Sequence, residues 1–190
     1  MAIYTKLDQE KINIILSNYK LGALKKFVGI KEGIENTNYF IETEKGKFIL
    51  TIYEKRVNKE DLPFFSRLML ELSKNDFICP KPISNKNNEY ISDFDNKKFM
   101  IVSFLEGKSK FNLSPIECKI VGKEMAKLHQ ITKNFKFSRK NDLSVKSWRR
   151  IFTQVKDKCS KIHPDLPKLI EANLDNIEKE WPNGLPSGII

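Results

Sequence analysis

The hydrophobic period of the chain changes once, near Leu105, and that change sets the fold class. Upstream, short β-branched and aromatic runs are punctuated by Gly, Asn and Asp, the pattern of strands joined by tight turns. Residues 23–30, 36–43 and 47–53 read as three strands, broken at Gly33 and turned at Glu44-Lys45-Gly46. Residues 88–92 and 97–105 read as a hairpin around Asp93-Phe94-Asp95-Asn96. Downstream, apolar side chains recur at helical spacing in three stripes: Ile116 to Leu128, Trp148 to Ile162, and Leu166 to Trp181. Ser114-Pro115-x-Glu117 is the capping box that starts the first of these.

Two helices belong with the strands. Thr5-x-x-Asp8 reads as a capping box ahead of Leu7, Ile12, Ile15, Leu16 and Tyr19. Asp61-Leu62-Pro63 opens the second, where a proline in the first turn gives up only an N–H that has no helical partner. Its stripe is Leu62, Phe65, Leu68, Met69 and Leu72, and Pro80 and Pro82 end the unit. The expectation is an α+β chain of two lobes, residues 1–105 and 106–190, crossing at Leu105-Glu106-Gly107.

Composition narrows the class. Aromatic residues make up 11% of the chain, too many for a disordered polymer. The net charge of +10 raises nucleic acid as a partner, and residues 108–161 hold 15 basic but four acidic side chains. The aromatics there fall on the helical stripe and do not interleave with the lysines, so no base-stacking platform forms. Scattered solvated lysines are the simpler reading, and a basic RNA-binding or scaffold protein stays as an alternative. Cys79, Cys118 and Cys159 have neither disulfide nor zinc spacing, which fits a reducing cytoplasm. No run of 18 apolar residues is present, so no membrane span is expected. Two isolated histidines, His129 and His163, support neither a metal site nor a catalytic triad.

Three stretches carry candidate chemistry. Gly29 and Gly33 flank a hairpin leading to Asn36 and Asn38; such a loop either lays its backbone N–H groups against phosphates or is an ordinary turn. Lys55 and Arg56, at the end of the third strand, are either phosphate ligands or solvated cations. Met100 to Gly107 is either a crossing segment that offers backbone groups to an adenine edge or a core strand with a turn. In the basic stretch, Asn141, Arg149 and Arg150 lie where an Arg pair could take an anionic group in bidentate fashion.

The run from Gly29 to Phe65 resembles the N-lobe of bacterial homoserine kinases, members of the aminoglycoside phosphotransferase-like (protein-kinase-like) superfamily. Similar echoes are Phe77 to Pro82, Val102 to Gly107, Met125 to His129, Trp148-Arg149, and Trp181-Pro182 with Leu185-Pro186 and Gly188, so the resemblance covers essentially the whole chain in order. It implies a five-stranded antiparallel N-lobe and the first part of a helical C-lobe. It also implies transfer of the ATP γ-phosphoryl group to the hydroxyl of L-homoserine, a step of threonine biosynthesis. Gly29 to Asn38 would cover the phosphates, Ser103 to Leu105 would hold the adenine, and Asn141, Arg149 and Arg150 would lie toward the substrate. Thr51 stands where relatives of the wider superfamily place a phosphate-pairing cation, with Lys55 four residues on. The partnering helix has no carboxylate at Phe65 to Arg67.

The family's His-x-Asp-x-x-x-x-Asn loop and its magnesium ligands do not occur in residues 1–190, so no catalytic or metal residue is assigned here. Gly188-Ile189-Ile190 reads as the start of a buried strand. The expectation is a truncated, inactive N-terminal portion whose Mg2+ ligands lie elsewhere. A sister phosphotransferase acting on an aminoglycoside, choline or methylthioribose is the other enzymatic alternative.

Overall fold

The computed structural model describes residues 3–55, 57–184 and 188–189. Arg56, Leu185 to Ser187 and Ile190 lie outside the described residues, and with them part of the strand expected after Gly188.

Five strands form one antiparallel sheet: β1 (Leu24–Ile30), β2 (Thr37–Thr43), β3 (Gly46–Ile52), β4 (Ser92–Phe94) and β5 (Lys97–Ser103). Their spatial order is β1-β2-β3-β5-β4. Burial alternates along β2, with Thr37, Tyr39, Ile41 and Thr43 buried and their neighbours half-buried. That is the signature of a strand with one face on a core. The β4–β5 hairpin sits later than the sequence suggests, because Asp95 and Asn96 both take positive φ (50° and 59°). A two-residue turn of that hand matches the twist of the flanking strands, so the hairpin closes there. At the opposite rim, β1 carries a register shift between Leu24 and Lys26. Lys25 and Lys26 are exposed beside it.

Helix α1 (Gln9–Ser17) closes the core from one side. Its Ile12, Ile15 and Leu16, with Tyr19 and Leu21, pack against Tyr39, Ile41, Phe48, Leu50, Ile52, Phe99 and Ile101. Each aliphatic side chain fully withdrawn from water there stabilises the fold by about 2 kcal/mol. The cap of α1 corrects the sequence reading. Asp8, not Thr5, caps it, its Oδ1 accepting from the Lys11 N–H at 2.9 Å. The Thr5 hydroxyl is engaged with Glu54 and Lys97, 49 and 92 residues away in sequence.

A 3-10 turn (Lys59–Asp61) leads into α2 (Leu62–Lys74), with the expected proline in its first turn. The Phe64 ring meets Phe135 edge-on at 5.9 Å, and the Arg67 guanidinium lies 4.3 Å from the centre of the Phe137 ring. Helix α3 (Pro115–Thr132) begins with the expected capping box, in which Ser114 and Glu117 bond reciprocally. The chain divides into two compact units, one running to Ser138 and the other Arg139–Gly188. The first includes α3, which lies beyond the change of hydrophobic period. The second pairs α4 (Val145–Ile162) with α5 (Leu166–Glu180) through buried Phe152 and Leu174 and a Lys156–Glu171 ion pair. No helix among the described residues is long and apolar enough to cross a membrane.

Candidate functional site

Strand alternation divides the sheet residues between its two faces. Tyr39, Leu50 and Ile101 point to α1, so their neighbours Asn38, Phe40, Ile49, Thr51, Met100 and Val102 line the other face. Register places Asn38, Thr51 and Met100 in one row, and Phe40, Ile49 and Val102 in the next. Val28 of β1 extends the second row beside Phe40. The Phe104 ring meets Phe40 edge-on at 5.2 Å. Val28 is exposed, and Phe40, Ile49, Val102 and Phe104 are half-buried. Together they make an apolar shelf, the kind of surface on which a planar heterocycle stacks. At its edge, the Thr51 hydroxyl donates to Asn38 Oδ1 at 2.8 Å.

The segment after β5 carries the candidate adenine contacts. The Ser103 N–H donates to the Lys81 carbonyl at 2.9 Å, and Ser103 Oγ accepts from the Lys81 N–H at 2.9 Å. The Phe104 N–H donates to the Lys47 carbonyl, while Lys47 Nζ reaches Glu106 at 2.7 Å. Ser103 is thus engaged in holding the strand end. Leu105 is exposed, and its backbone N–H, like that of Glu106, has no partner among the described residues.

The β1–β2 loop spans residues 31–36, with Gly33 at φ 106°, a conformation that side-chain-bearing residues resist. Gly29 plays a different part from the one its sequence position suggests. It pairs with Tyr39, and a Cβ there would lie 2.5 Å from Ile3 Cδ1 and 3.4 Å from the Tyr39 ring. The missing side chain makes room for the N-terminal segment. Asn36 Oδ1 accepts from the Glu54 N–H at 3.4 Å. Lys55 is exposed and lines a surface hollow of about 380 Å³ with Tyr4, Ile34, Glu35, Glu54 and Lys97.

Glu54 and Lys97 were not legible as site residues. Glu54 Oε2 accepts from Lys97 Nζ at 2.6 Å, and its Oε1 accepts from the hydroxyls of Thr5 and Thr37 at 2.6 and 2.7 Å. Its side chain is 9% exposed. Burial pushes the carboxyl up, but the hydrogen bonds from Lys97, Thr5 and Thr37 outweigh it and hold the group below the usual carboxylate range. The pair is no substitute for a lysine beneath the shelf: Lys97 shares the parity of Phe99 and Ile101, the α1 side of β5. That parity was the available signal, a lysine where the alternation calls for an inward side chain.

In the second unit, Asn141 Oδ1 accepts from the Leu143 N–H at 3.0 Å in the turn before α4. Arg149 is held by two carboxylates, its Nε donating to Glu178 at 3.0 Å and an Nη to Asp175 at 2.7 Å. Arg150 is exposed, and its guanidinium has no partner among the described residues. Trp148 Nε1 donates to the Leu143 carbonyl, and its ring meets Trp181 edge-on at 5.7 Å. His163-Pro164-Asp165 has the opening of a His-x-Asp-x-x-x-x-Asn loop, but Ile170 occupies the asparagine position. Asp165 instead starts α5, its N–H donating to His163 Nδ1 at 3.2 Å. Among the described residues no three His, Cys, Asp or Glu side chains converge as metal ligands.

Comparison with known proteins places this geometry. The model of the phosphotransferase enzyme family matches residues 26–190. The chain belongs to that family. The homoserine kinase of Methylobacterium nodulans is 40% identical over all 190 residues, and that of Beijerinckia indica 39%. The chain spans 59% of the length of each. Among solved structures, an amicoumacin kinase bound to AMP-PNP superposes with a TM-score of 0.58 at 15% identity, over 83% of this chain and 54% of that one. A spectinomycin phosphotransferase bound to ADP and spectinomycin gives 0.58 at 12% identity, over 94% of this chain and 60% of that one. At such identities the likeness establishes the fold, the protein-kinase-like fold of aminoglycoside phosphotransferases, with the five-stranded sheet as its N-lobe.

Proposed function

We propose that the chain is the nucleotide-binding portion of a kinase that transfers the γ-phosphoryl group of ATP to the side-chain hydroxyl of L-homoserine, in a reducing cytoplasm. The observation that carries the reading is 36–40% identity to curated homoserine kinases along all 190 residues. Residues 1–105 form the lobe that grips ATP. The apolar shelf of Val28, Phe40, Ile49 and Val102 takes the adenine ring, and the free N–H of Leu105 offers it an edge. The 31–36 loop, with Gly33, covers the phosphates. Lys55 supplies charge from the loop's far side, and the Asn38–Thr51 pair a neutral polar floor. Gly29, Asn36 and Ser103 act by shaping these elements. In the helical portion, residues 106–190, Asn141 and Arg150 are the candidate substrate-side groups, and Arg149 holds α4 to α5.

Phosphoryl transfer depends on positioning and on stabilising spread negative charge. The described residues would supply positioning, and Mg2+ would be held by side chains in the part of the relatives' length that this chain does not span. The complete protein, given ATP and L-homoserine, is expected to form O-phosphohomoserine. It should leave choline, methylthioribose and aminoglycosides unmodified. The polypeptide 1–190 alone is expected to show no homoserine-dependent ATP turnover. Preference for any other hydroxyl acceptor would overturn the substrate assignment.

A further inference from the structure

We propose that the N-terminal segment 3–7 is a strap that presets the 31–36 loop, and that Tyr4 is a positioning residue for whatever that loop binds. The consequence for ATP rests on the function proposed above.

The strap touches the strand that enters the loop, the loop itself and the strand that leaves it. On the entering strand, Ile3 fills the notch left by Gly29. In the loop, the Tyr4 hydroxyl donates to the Ile34 carbonyl at 2.9 Å. On the leaving strand, the N–H groups of Tyr4 and Thr5 both donate to Thr37 Oγ1, at 3.0 and 3.1 Å. The strap is itself anchored. The Tyr39 hydroxyl donates to the Thr5 carbonyl and accepts from the Leu7 N–H. Lys97 Nζ donates to Thr5 Oγ1 at 2.6 Å, and that hydroxyl in turn donates to Glu54 Oε1. Glu54 joins the two systems, because its N–H also donates to Asn36.

Lys31 to Glu35 are all exposed, so the loop has no burial to fix it. Holding a flexible loop in its binding shape before the ligand arrives removes an ordering cost from binding. Tyr4 is 57% exposed and contributes little to the core. Its hydroxyl bond to Ile34 is therefore separable from folding, which makes the strap testable.

The test uses the complete protein with Tyr4→Phe. Amide hydrogen exchange in residues 31–36 should quicken about fivefold, as for loss of one ordinary hydrogen bond. Exchange in β2 and β3 and the thermal midpoint should stay unchanged. The KM for ATP should rise about fivefold, while kcat and the KM for L-homoserine stay within about twofold. Glu54→Gln, which keeps the shape but removes the anchoring charge, should quicken exchange in both 3–7 and 31–36. Unchanged exchange in the loop in both variants would refute the strap. Faster exchange with an unchanged KM for ATP would leave the strap standing and overturn the loop's role with nucleotide.

Discussion

The sheet and helix α3 use apolar residues in opposite ways. Ile12, Ile41, Leu50, Ile52, Leu62, Met100 and Ile101 are fully buried, and all precede the change of period near Leu105. In α3 and the segment before it, Phe111, Leu113, Ile116, Ile120, Val121 and Met125 are exposed, Phe111 at 95%. The sheet half therefore closes its own core, whereas α3 has an apolar stripe with the right spacing and no cover within the described residues. An amphipathic pattern predicts a helix; it does not say that the helix has found its partner.

Paired substitutions sharpen that contrast. The largest effect is expected from Leu50→Ala, which should lower stability by about 2–5 kcal/mol in chemical denaturation. Ile120→Ala should change it by less than about 0.5 kcal/mol, as for an exposed site. Equal losses would mean the helix is as well packed as the sheet. The second effect is on association. An uncovered apolar stripe favours self-contact, so the polypeptide 1–190 should scatter light as an oligomer. Ile120→Lys with Met125→Lys should return it toward a monomer.

A smaller effect concerns acid. The folded pKa of Glu54 lies below its unfolded value, so its contribution is full above about pH 4.5 and is lost as pH falls through the depressed value. The denaturation midpoint of the sheet half should fall across that window, and Glu54→Gln should flatten the fall. The smallest effect is expected from Arg149→Ala. Its ion pairs with Asp175 and Glu178 are exposed, so the loss should be slight and should vanish in high salt.

Much of this was legible because it is local. Short β-branched and aromatic runs broken by Gly and turn residues located β1 to β3, and the Ser114 and Glu117 spacing located the start of α3. What stayed hidden depends on residues brought together from afar. Thr5 has the spacing of a helix cap, but Glu54 and Lys97 recruit its hydroxyl. Gly29 looks like a phosphate-loop glycine, yet its space is taken by Ile3. Arg149 looks free for a substrate until α5 folds back with two carboxylates. The β4–β5 hairpin shifted because Asp95 and Asn96, not the residues before them, tolerate the left-handed backbone its turn needs. The shelf itself could be anticipated as strand faces, but only the register put Asn38 opposite Thr51.

The rims of the sheet carry a consequence of their own. β1 presents two lysines and a bulge at one side, and β4 offers three residues at the other. Neither is a good template for an incoming strand. A solution of this polypeptide, however crowded through its helices, should not seed fibrils, and an amyloid-sensing dye should stay dark in it.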